Sequence, residues 1–220
     1  MIYEYGEPRY TGGAYTIEKI KRMTTKEVKQ EVPLHLTRIA LEIKEQQHEE
    51  EILDNVLNEI RKDELKAPEV IYITGEPGMG KTYGAYKECC QKEPDNKKIG
   101  ILQINNNFCK FTNPDAENLI IPEFRPSQIA AAEFLQLTDK YGYAANTKGG
   151  FKMIRPKRIY ICSVKSPFEI YKDEVNKQFL RRISKFYTAI NDGQKVHRLI
   201  DSTDMIKKIM TRKAELESEF

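Results

Sequence analysis

The spacing of apolar residues divides the chain into a helical part and a part that alternates strands with helices. Between residues 24 and 66, apolar positions recur at intervals of three and four, as on one face of a helix. Thr24 and Glu27 have the spacing of a capping box, so a first helix is predicted to begin there and to end before Pro33. Two further helices are predicted from two apolar sets, Leu36, Ile39, Ala40 and Ile43, and then Ile52, Leu53, Val56, Leu57 and Ile60. These stripes pack either on one another or against neighbouring subunits.

From residue 67 onward, short runs rich in β-branched and aromatic residues alternate with amphipathic stretches. The runs predict strands over residues 70–74, 99–104, 119–121, 158–163 and 185–190. The stretches between and after them predict helices over residues 80–91, 128–139, 174–183 and 202–217, with Ser127 as the N-cap of the second. Residues 105–114 are predicted to form a loop. Strand, helix, strand is the order of an α/β fold with a mainly parallel sheet.

These patterns predict three regions along the chain. Residues 1–23 are polar and are predicted to be irregular, apart from a short helix over 16–23. Residues 24–66 form a small helical domain of the kind that mediates oligomerisation, and Ala67-Pro68 marks its end. Residues 67–220 form the α/β domain.

A phosphate-binding loop follows the first predicted strand of the α/β domain. The segment Gly75-Glu76-Pro77-Gly78-Met79-Gly80-Lys81-Thr82 has the pattern Gly-x-x-x-x-Gly-Lys-Thr between a strand and a helix. Glycines let the backbone N–H groups approach phosphate oxygens, Lys81 supplies a positive charge to the β- and γ-phosphates, and the Thr82 hydroxyl is placed to hold Mg²⁺. The sequence therefore predicts a site for a nucleoside triphosphate with Mg²⁺.

Composition and charge narrow the cellular context and the partners. Apolar residues make up 40% of the chain and no run is long enough to span a membrane, so no membrane role is indicated. The N-terminus lacks the order of a signal peptide, and the chain is expected to stay in the cytoplasm or in a host nucleus rather than to be secreted. Four cysteines without metal-ligand spacing predict reduced thiols.

The charge is unevenly distributed along the chain. Residues 140–185 carry twelve basic residues against three acidic ones, which favours either a polyanionic partner or a solvated basic surface.

Further candidate site residues follow the later strands. Glu123 follows the short strand 119–121 after Pro122, at the position where nucleoside triphosphatases place the group that holds the metal or orients the attacking water. A tight hairpin is predicted at Lys148-Gly149-Gly150-Phe151-Lys152. Its lysines and aromatic ring suit single-stranded nucleic acid, or else it is an ordinary exposed hairpin.

Arg181 and Arg182 are adjacent on a predicted helix and cannot face the same way. One arginine is expected to reach a phosphate across a subunit boundary while the other makes a structural ion pair.

The order of these motifs resembles the superfamily-three helicase domain of replication-initiator (Rep) proteins from small circular single-stranded DNA viruses and plasmids. The resemblance covers roughly residues 69–187. The phosphate loop is similar to the family's Walker A motif, and residues 119–125 are similar to its Walker B motif. Residues 139–150 resemble its DNA-contacting hairpin. Residues 159–167 and 179–183 resemble its sensor strand and arginine-finger segment.

The resemblance implies an AAA-like ATPase that binds ATP and Mg²⁺ and assembles as a homo-oligomeric ring, usually a hexamer, around single-stranded DNA. Lys148, with Lys152 as a further candidate, would track the DNA strand, and Arg181 or Arg182 would complete a neighbour's active site.

Three features of the sequence depart from the family's pattern. Pro122 replaces the first of two Walker B acids, and Val164 replaces a polar sensor residue, which leaves Ser163 or Lys165 to substitute. No nicking domain is visible, because the histidines are isolated, so a fragment or a gene without its front half is expected.

Three functions are consistent with this pattern. The first is an ATP-dependent DNA helicase domain in which Lys81, Glu123 and a neighbour's arginine act in catalysis. The second is an RNA helicase or RNA-stimulated ATPase of a similar viral type, because lysines that contact the backbone distinguish neither sugar nor base. The third is a nucleotide-binding assembly module that no longer hydrolyses ATP, which Pro122 and Val164 favour. A GTPase is disfavoured because the chain has no Asn-Lys-x-Asp motif.

Overall fold

A computed structural model describes residues 15–106, 108–113, 115–148, 150–191 and 197–218. The chain divides into two compact units, Met1–Leu57 and Asn58–Phe220. The first unit contains helices α1 (Ile17–Arg22) and α2 (Thr25–Glu31) and most of α3 (Leu34–Arg61). The first fourteen residues of the predicted irregular segment lie outside the described residues.

The three helices of the first unit follow from local sequence signals. The Thr24 hydroxyl accepts a hydrogen bond from the backbone N–H of Glu27, whose carboxylate accepts one from the backbone N–H of Thr24, so the predicted capping box is present. A small core holds the unit together and consists of Ile20, Met23, Val28, Val32 and Ala40. Helix α3 is continuous over 28 residues, where two separate helices were predicted. No proline or glycine interrupts residues 34–61, so nothing in the backbone ends the helix between the two apolar sets.

The second unit is built on a seven-stranded sheet. Its strands are β1 (Glu69–Thr74), β2 (Ile99–Asn105), β3 (Phe108–Phe111), β4 (Asn118–Ile121), β7 (Arg158–Ser163), β8 (Lys185–Asn191) and β9 (His197–Asp201). Two further strands, β5 (Tyr143–Thr147) and β6 (Gly150–Ile154), form a separate hairpin. The helices are α4 (Lys81–Lys92), α5 (Ala131–Leu137), α6 (Asp173–Arg182) and α7 (Thr203–Ser218).

The strand order is β3-β2-β4-β7-β1-β8-β9, with β1 in the middle of a parallel core. Strands β2, β4, β7, β1 and β8 are parallel to one another, and the two edge strands β3 and β9 are antiparallel to their neighbours. The predicted fold class, an α/β P-loop core with a mainly parallel sheet, is confirmed, and the strand order is consistent with the predicted AAA-like type. All five core strands therefore end at the same edge of the sheet, where ligands bind in folds of this kind.

Alternating side chains of the core strands fill two apolar layers. On β1, Ile71 and Ile73 point to the face that α4 covers, through Ala85 and Cys89. The opposite face contains a group of aromatic rings contributed by β1, α5, α6 and the connecting segments: Tyr72, Phe124, Phe134, Tyr171 and Phe179. Helices thus cover both faces of the sheet, and the three central strands β4, β7 and β1 are buried on both sides.

Besides the continuous α3, the structure differs from the predicted elements at three places. Strand β3 lies inside the predicted loop 105–114, of which residues 107 and 114 are outside the described residues. Helix α5 begins at Ala131 with Ala130 as N-cap and no capping side chain, so Ser127 is not its N-cap. Strand β9 was not predicted; it pairs with β8 and closes that edge of the sheet. Both unpredicted strands are antiparallel edge strands, whose existence depends on a neighbour as much as on their own residues.

Candidate nucleotide site

The phosphate loop connects the end of the central strand β1 to the first turn of α4. Gly75 has a φ of +151°, and a Cβ atom there would lie 2.7 Å from the Ala189 carbonyl oxygen on β8. Gly80 is the N-cap of α4 and has the left-handed values φ 75° and ψ 26°. A side chain at either position would be strained or would displace the neighbouring strand. These glycines therefore allow the loop to curl tightly over the end of the sheet.

Lys81 binds the loop that precedes it. Its Nζ donates hydrogen bonds to the carbonyl oxygens of Gly75, at 2.8 Å, and Glu76, at 2.7 Å. Both acceptors are neutral, so the ammonium charge is not cancelled by a carboxylate. Lys81 thus stabilises the shape of the loop and is also available to an anion.

A pocket of about 390 Å³ lies beside the loop. Its lining combines the loop with the segment that follows β4 and the end of β7: Pro77, Gly78, Gly80, Lys81, Thr82, Tyr83, Glu123, Phe124, Arg125 and Val164. Of the predicted nucleotide ligands, Gly75 contacts β8, Met79 packs on the apolar layer under α4, and Glu76 offers its carbonyl to Lys81. The structure therefore brings the sequence-predicted Lys81, Thr82 and Glu123 to one pocket.

The segment after β4 places a charged side chain on each side of a buried ring. Glu123 is exposed and has a φ of +50°, whereas Phe124 is fully buried. The backbone N–H of Phe124 donates to the Cys162 carbonyl at 2.7 Å, and its carbonyl accepts from the Ser163 hydroxyl at 2.8 Å. A positive φ at a glutamate costs about 1–2 kcal/mol, and strain of this kind is concentrated at functional sites.

Ser163 lies beneath the pocket and does not line it. Its side chain is fully buried, and its hydroxyl also accepts a hydrogen bond from the backbone N–H of Lys165 at 3.1 Å. The residue at the end of β7 that does line the pocket is Val164, which is 43% exposed. Ser163 therefore holds the Glu123 segment against β7, and its predicted contact with nucleotide stays a prediction.

Thr82 lies between the pocket and a buried thiol. Burial raises the pKa of Cys162 to about 12, while a hydrogen bond with the Thr82 side chain and the charge of Lys81 act in the opposite direction. Cys162 therefore stays a neutral thiol that packs under the site.

The pocket fits Mg²⁺ held jointly by protein and nucleotide. Within the described part of the chain, no three His, Cys, Asp or Glu side chains are grouped closely enough to hold a metal by themselves. Mg²⁺ usually takes one or two protein oxygens and completes its shell with phosphate oxygens and water. Thr82 and Glu123, which line one pocket beside the phosphate loop, suit that kind of shell.

The two adjacent arginines of α6 differ in their surroundings. Arg182 donates to the Asp139 carboxylate at 3.2 Å. Arg181 is exposed, and its guanidinium has no hydrogen bond or ion pair with any residue that the structure describes. Both border a hollow of about 390 Å³ together with Leu135 and Gln178, and neither lines the phosphate pocket.

The predicted hairpin is formed by β5 and β6, and its three candidate residues differ in their surroundings. Lys148 is exposed at the turn, and Phe151 on β6 is 67% exposed; Gly149 lies outside the described residues. Lys152 pairs across the hairpin with buried Ala145, and its ammonium lies 3.8 Å from the Asp115 carboxylate. Lys148 and Phe151 are therefore accessible, whereas Lys152 contacts the body of the domain.

Arg125 is a pocket residue for which the sequence analysis proposed no role. It lies two positions after Glu123, and Lys81 is the only other basic residue in the described lining. Its signal in the sequence is a basic residue just beyond the acid that ends an inner strand, which alone does not distinguish a ligand from a solvated side chain.

No protein-family model matches the sequence, and no curated protein matches it. Among solved structures, the S. cerevisiae Hsp104–ADP complex matches at 15% identity with a TM-score of 0.39. The match covers 78% of this chain and 29% of that one, so this chain spans less than a third of that protein's length. A similarity of this size does not identify an activity, a substrate or an assembly. No helix among the described residues is both long enough and apolar enough to cross a bilayer.

Proposed function

We propose that the chain is an ATP-dependent helicase domain of Rep-like type, which hydrolyses ATP to move along single-stranded DNA. The observation that carries this proposal is the convergence of Lys81, Thr82 and Glu123 on one pocket at the edge where the parallel strands end. A phosphate loop alone indicates that a nucleotide is bound, not that it is hydrolysed. An exposed carboxylate held at a strained backbone position opposite the loop favours hydrolysis.

Each residue has a distinct role in the proposed reaction. The loop N–H groups and Lys81 bind the β- and γ-phosphates, and the Thr82 hydroxyl holds Mg²⁺, which when bound neutralises phosphate charge. Glu123 orients a water molecule or accepts its proton as the oxygen attacks the γ-phosphorus. The bond from that phosphorus to the β–γ bridging oxygen breaks, giving ADP and inorganic phosphate.

The surroundings of α6 favour Arg181 as the residue that completes a neighbour's pocket. Arg182 is retained by Asp139 within its own chain, whereas Arg181 is exposed beside the hollow between α5 and α6. In the proposed homo-oligomeric ring, of which a hexamer is the expected form, Arg181 would neutralise charge on the neighbour's γ-phosphate. Arg182 would position the helix.

The hairpin is the proposed contact for single-stranded DNA. Lys148 would bind a phosphate and the exposed Phe151 ring would stack on a base, while Lys152 would fix the hairpin to the domain through Asp115. RNA presents the same phosphates and bases, so an RNA-stimulated ATPase belongs to the same proposal as its alternative.

A second candidate, an assembly module that binds nucleotide without hydrolysing it, is favoured by one observation. Val164 is the residue at the end of β7 that faces the pocket, and the neighbouring Ser163 hydroxyl is already occupied by Phe124 and Lys165. No polar side chain from β7 therefore reaches the pocket to help orient water.

Phosphate release from ATP tests the proposal. It would be measured over a range of protein concentration, alone and with DNA or RNA oligomers of equal length, for the parent chain, Lys81→Ala and the control Lys87→Ala. Lys87 is exposed on the same helix and does not line the pocket. We expect turnover that rises with protein concentration and with DNA, is lost in Lys81→Ala and is kept in Lys87→Ala.

Two results would decide against parts of the proposal. Bound ATP with no phosphate release would favour the assembly module. Stimulation by RNA and not by DNA would replace the DNA helicase with its RNA counterpart. Thermal unfolding of Lys81→Ala belongs to the same experiment, because the lost bonds to the Gly75 and Glu76 carbonyls also loosen the loop.

A further inference from the structure

Arg125 is a cation at the nucleotide pocket that pairs with no carboxylate in the described part of the chain. Three other arginines of this unit, Arg155, Arg158 and Arg182, each bind a carboxylate. Arg125 is exposed beside Lys81 and Glu123, and its guanidinium has no hydrogen bond or ion pair with a residue in the described ranges. An unpaired guanidinium that borders an anion site is free to bind the anion.

The backbone of Arg125 is fixed on both sides. Preceding it, Phe124 is held by its buried ring and by two hydrogen bonds to β7. At Arg125 itself, the N–H donates to the Gln128 side chain at 2.8 Å, and its carbonyl accepts from the Gln128 N–H at 3.0 Å. The base of the side chain therefore does not move with a loose loop, and only its own rotamers have to be ordered when it binds.

The charges around the pocket indicate which phosphate Arg125 would contact. The loop N–H groups and Lys81 approach from the side of β1, and Glu123 and Arg125 approach from the segment after β4. Glu123 is placed in the proposed reaction beside the γ-phosphate, and Arg125 lies two residues further along the same anchored segment. The lining residue that follows β7 is the apolar Val164. Arg125 is therefore the cation that the described lining offers on the side of the pocket away from the phosphate loop.

We propose that Arg125 binds the γ-phosphate of the nucleotide in its own chain and thereby distinguishes a triphosphate from a diphosphate. This inference rests on the proposed function for the identity of the nucleotide, but it concerns binding and does not require hydrolysis. Arg125 acts within one subunit, in contrast to Arg181, which is proposed to act on a neighbour.

Equilibrium binding of a non-hydrolysable ATP analogue and of ADP, both with Mg²⁺, tests the inference. The parent chain, Arg125→Ala, Arg125→Lys and the exposed control Arg212→Ala would be compared at a protein concentration where the chain is monomeric by light scattering. We expect Arg125→Ala to weaken binding of the analogue about 10- to 100-fold and to leave ADP binding within about twofold. Arg125→Lys should lie between, because lysine keeps the charge and loses the two-pronged geometry.

The outcomes separate this inference from the proposed function. An equal loss of affinity for both nucleotides, or no loss for either, would overturn the role of Arg125. Discrimination by Arg125 in a chain that releases no phosphate would support the inference and reject hydrolysis. An effect of Arg125→Ala that appears only at concentrations where the chain assembles would place the residue at a subunit boundary and would also overturn it. Thermal unfolding of each variant confirms that the exposed substitution leaves the fold intact.

Discussion

The two edges of the parallel sheet arrange their charged residues in opposite ways. At the edge where the strands begin, Glu69 binds Arg158 at 3.2 Å and Lys185 at 2.7 Å. Just before β4, Glu117 likewise binds two lysines, Lys98 and Lys157. At the edge where the strands end, Glu123 and Arg125 form no ion pair with any described residue, and Lys81 binds only neutral carbonyls.

This difference separates charges that hold the fold from charges that are available to a ligand. Six of the twelve cations between residues 140 and 185 bind carboxylates that lie outside that block: Lys152, Arg155, Lys157, Arg158, Arg182 and Lys185. Much of the basic excess in the sequence is thus neutralised inside the domain, and it does not by itself predict a polyanionic partner. Exposed cations that bind no carboxylate among the residues the structure describes, such as Lys148 and Arg181, are better candidates for a polyanionic partner.

The largest effect is expected at Gly75, because its substitution would disrupt the edge that carries the phosphate loop. Gly75→Ala places a Cβ 2.7 Å from a β8 carbonyl oxygen, whereas the control Gly78→Ala, at φ +79°, meets open space. We expect Gly75→Ala to lose nucleotide binding and about 2–5 kcal/mol of unfolding free energy, against about 1 kcal/mol for Gly78→Ala. Urea unfolding measures the loss of free energy, and nucleotide titration measures the loss of binding. Equal losses in the two variants would show that the contact with β8 is unimportant.

The next largest effect is expected at Glu123. Glu123→Gln keeps the size of the side chain and removes its ability to accept a proton, so phosphate release should fall about 10²- to 10⁴-fold. The unfolding free energy should stay within about 0.5 kcal/mol of the parent value, because the side chain is exposed and pairs with no described residue. Steady-state turnover and urea unfolding would be measured on the same preparation. A variant that still hydrolyses ATP at the parent rate would remove Glu123 from the mechanism.

At the edge where the strands begin, Glu69→Gln should lower stability without affecting function, the reverse of what is expected for Glu123→Gln. It removes the carboxylate from two ion pairs in which the side chains are about one-third exposed, so we expect a loss of about 1–2 kcal/mol in unfolding free energy. Nucleotide affinity should not change. Glu50→Gln, an exposed residue of α3, is the matched control and should change neither quantity. A loss of nucleotide affinity in Glu69→Gln would show that the two edges are not independent.

The smallest effect is a dependence of stability on acid pH. Burial alone raises the pKa of Glu69 and of Glu117, but hydrogen bonds and charges from their lysine and arginine partners outweigh it, and both pKa values lie below the ordinary 4.5. A hydrogen bond from Arg155 lowers the pKa of Glu59 in the same direction. The stability that these carboxylates contribute is therefore present above about pH 4.5 and is lost as the pH falls through their lowered values.

Urea midpoints between pH 3 and 7 measure this dependence. We expect the difference between the parent chain and Glu69→Gln to shrink as the pH drops below about 4.5, because the carboxylate takes up a proton first in the unfolded parent chain and, at its lowered pKa, in the folded chain as well. A difference that grows toward low pH would contradict the assignment of these ion pairs as stabilising.

The sequence predicted the elements whose signals are local. The strand before Gly75, the helix after Lys81 and the hairpin around Lys148 all have the predicted type, because glycine patterns and apolar runs determine them over a few residues. Strand β3 and the continuity of α3 were missed, since an edge strand depends on its neighbour and a polar stretch such as residues 44–51 does not show whether a helix ends there.

The pairing of charges was beyond prediction for a different reason. Arg182 is distinguished from Arg181 by Asp139, which lies 43 residues away in sequence. Glu69 meets Lys185 only because β8 lies beside β1 in the sheet. The sequence predicted that one arginine of the pair would be structural, but strand order and helix packing decide which one.

The stacked rings of Phe124 and Phe179 connect the pocket to the exposed arginine of α6. Their centroids lie 6.5 Å apart and their planes differ by 4°. Phe124 lies between Glu123 and Arg125, which both line the pocket, and Phe179 lies two positions before Arg181 on α6. Close-packed rings do not deform gradually, so these two segments keep one arrangement. In the proposed ring, the side chain that each subunit offers to the next would therefore be held at a set distance from that subunit's own pocket.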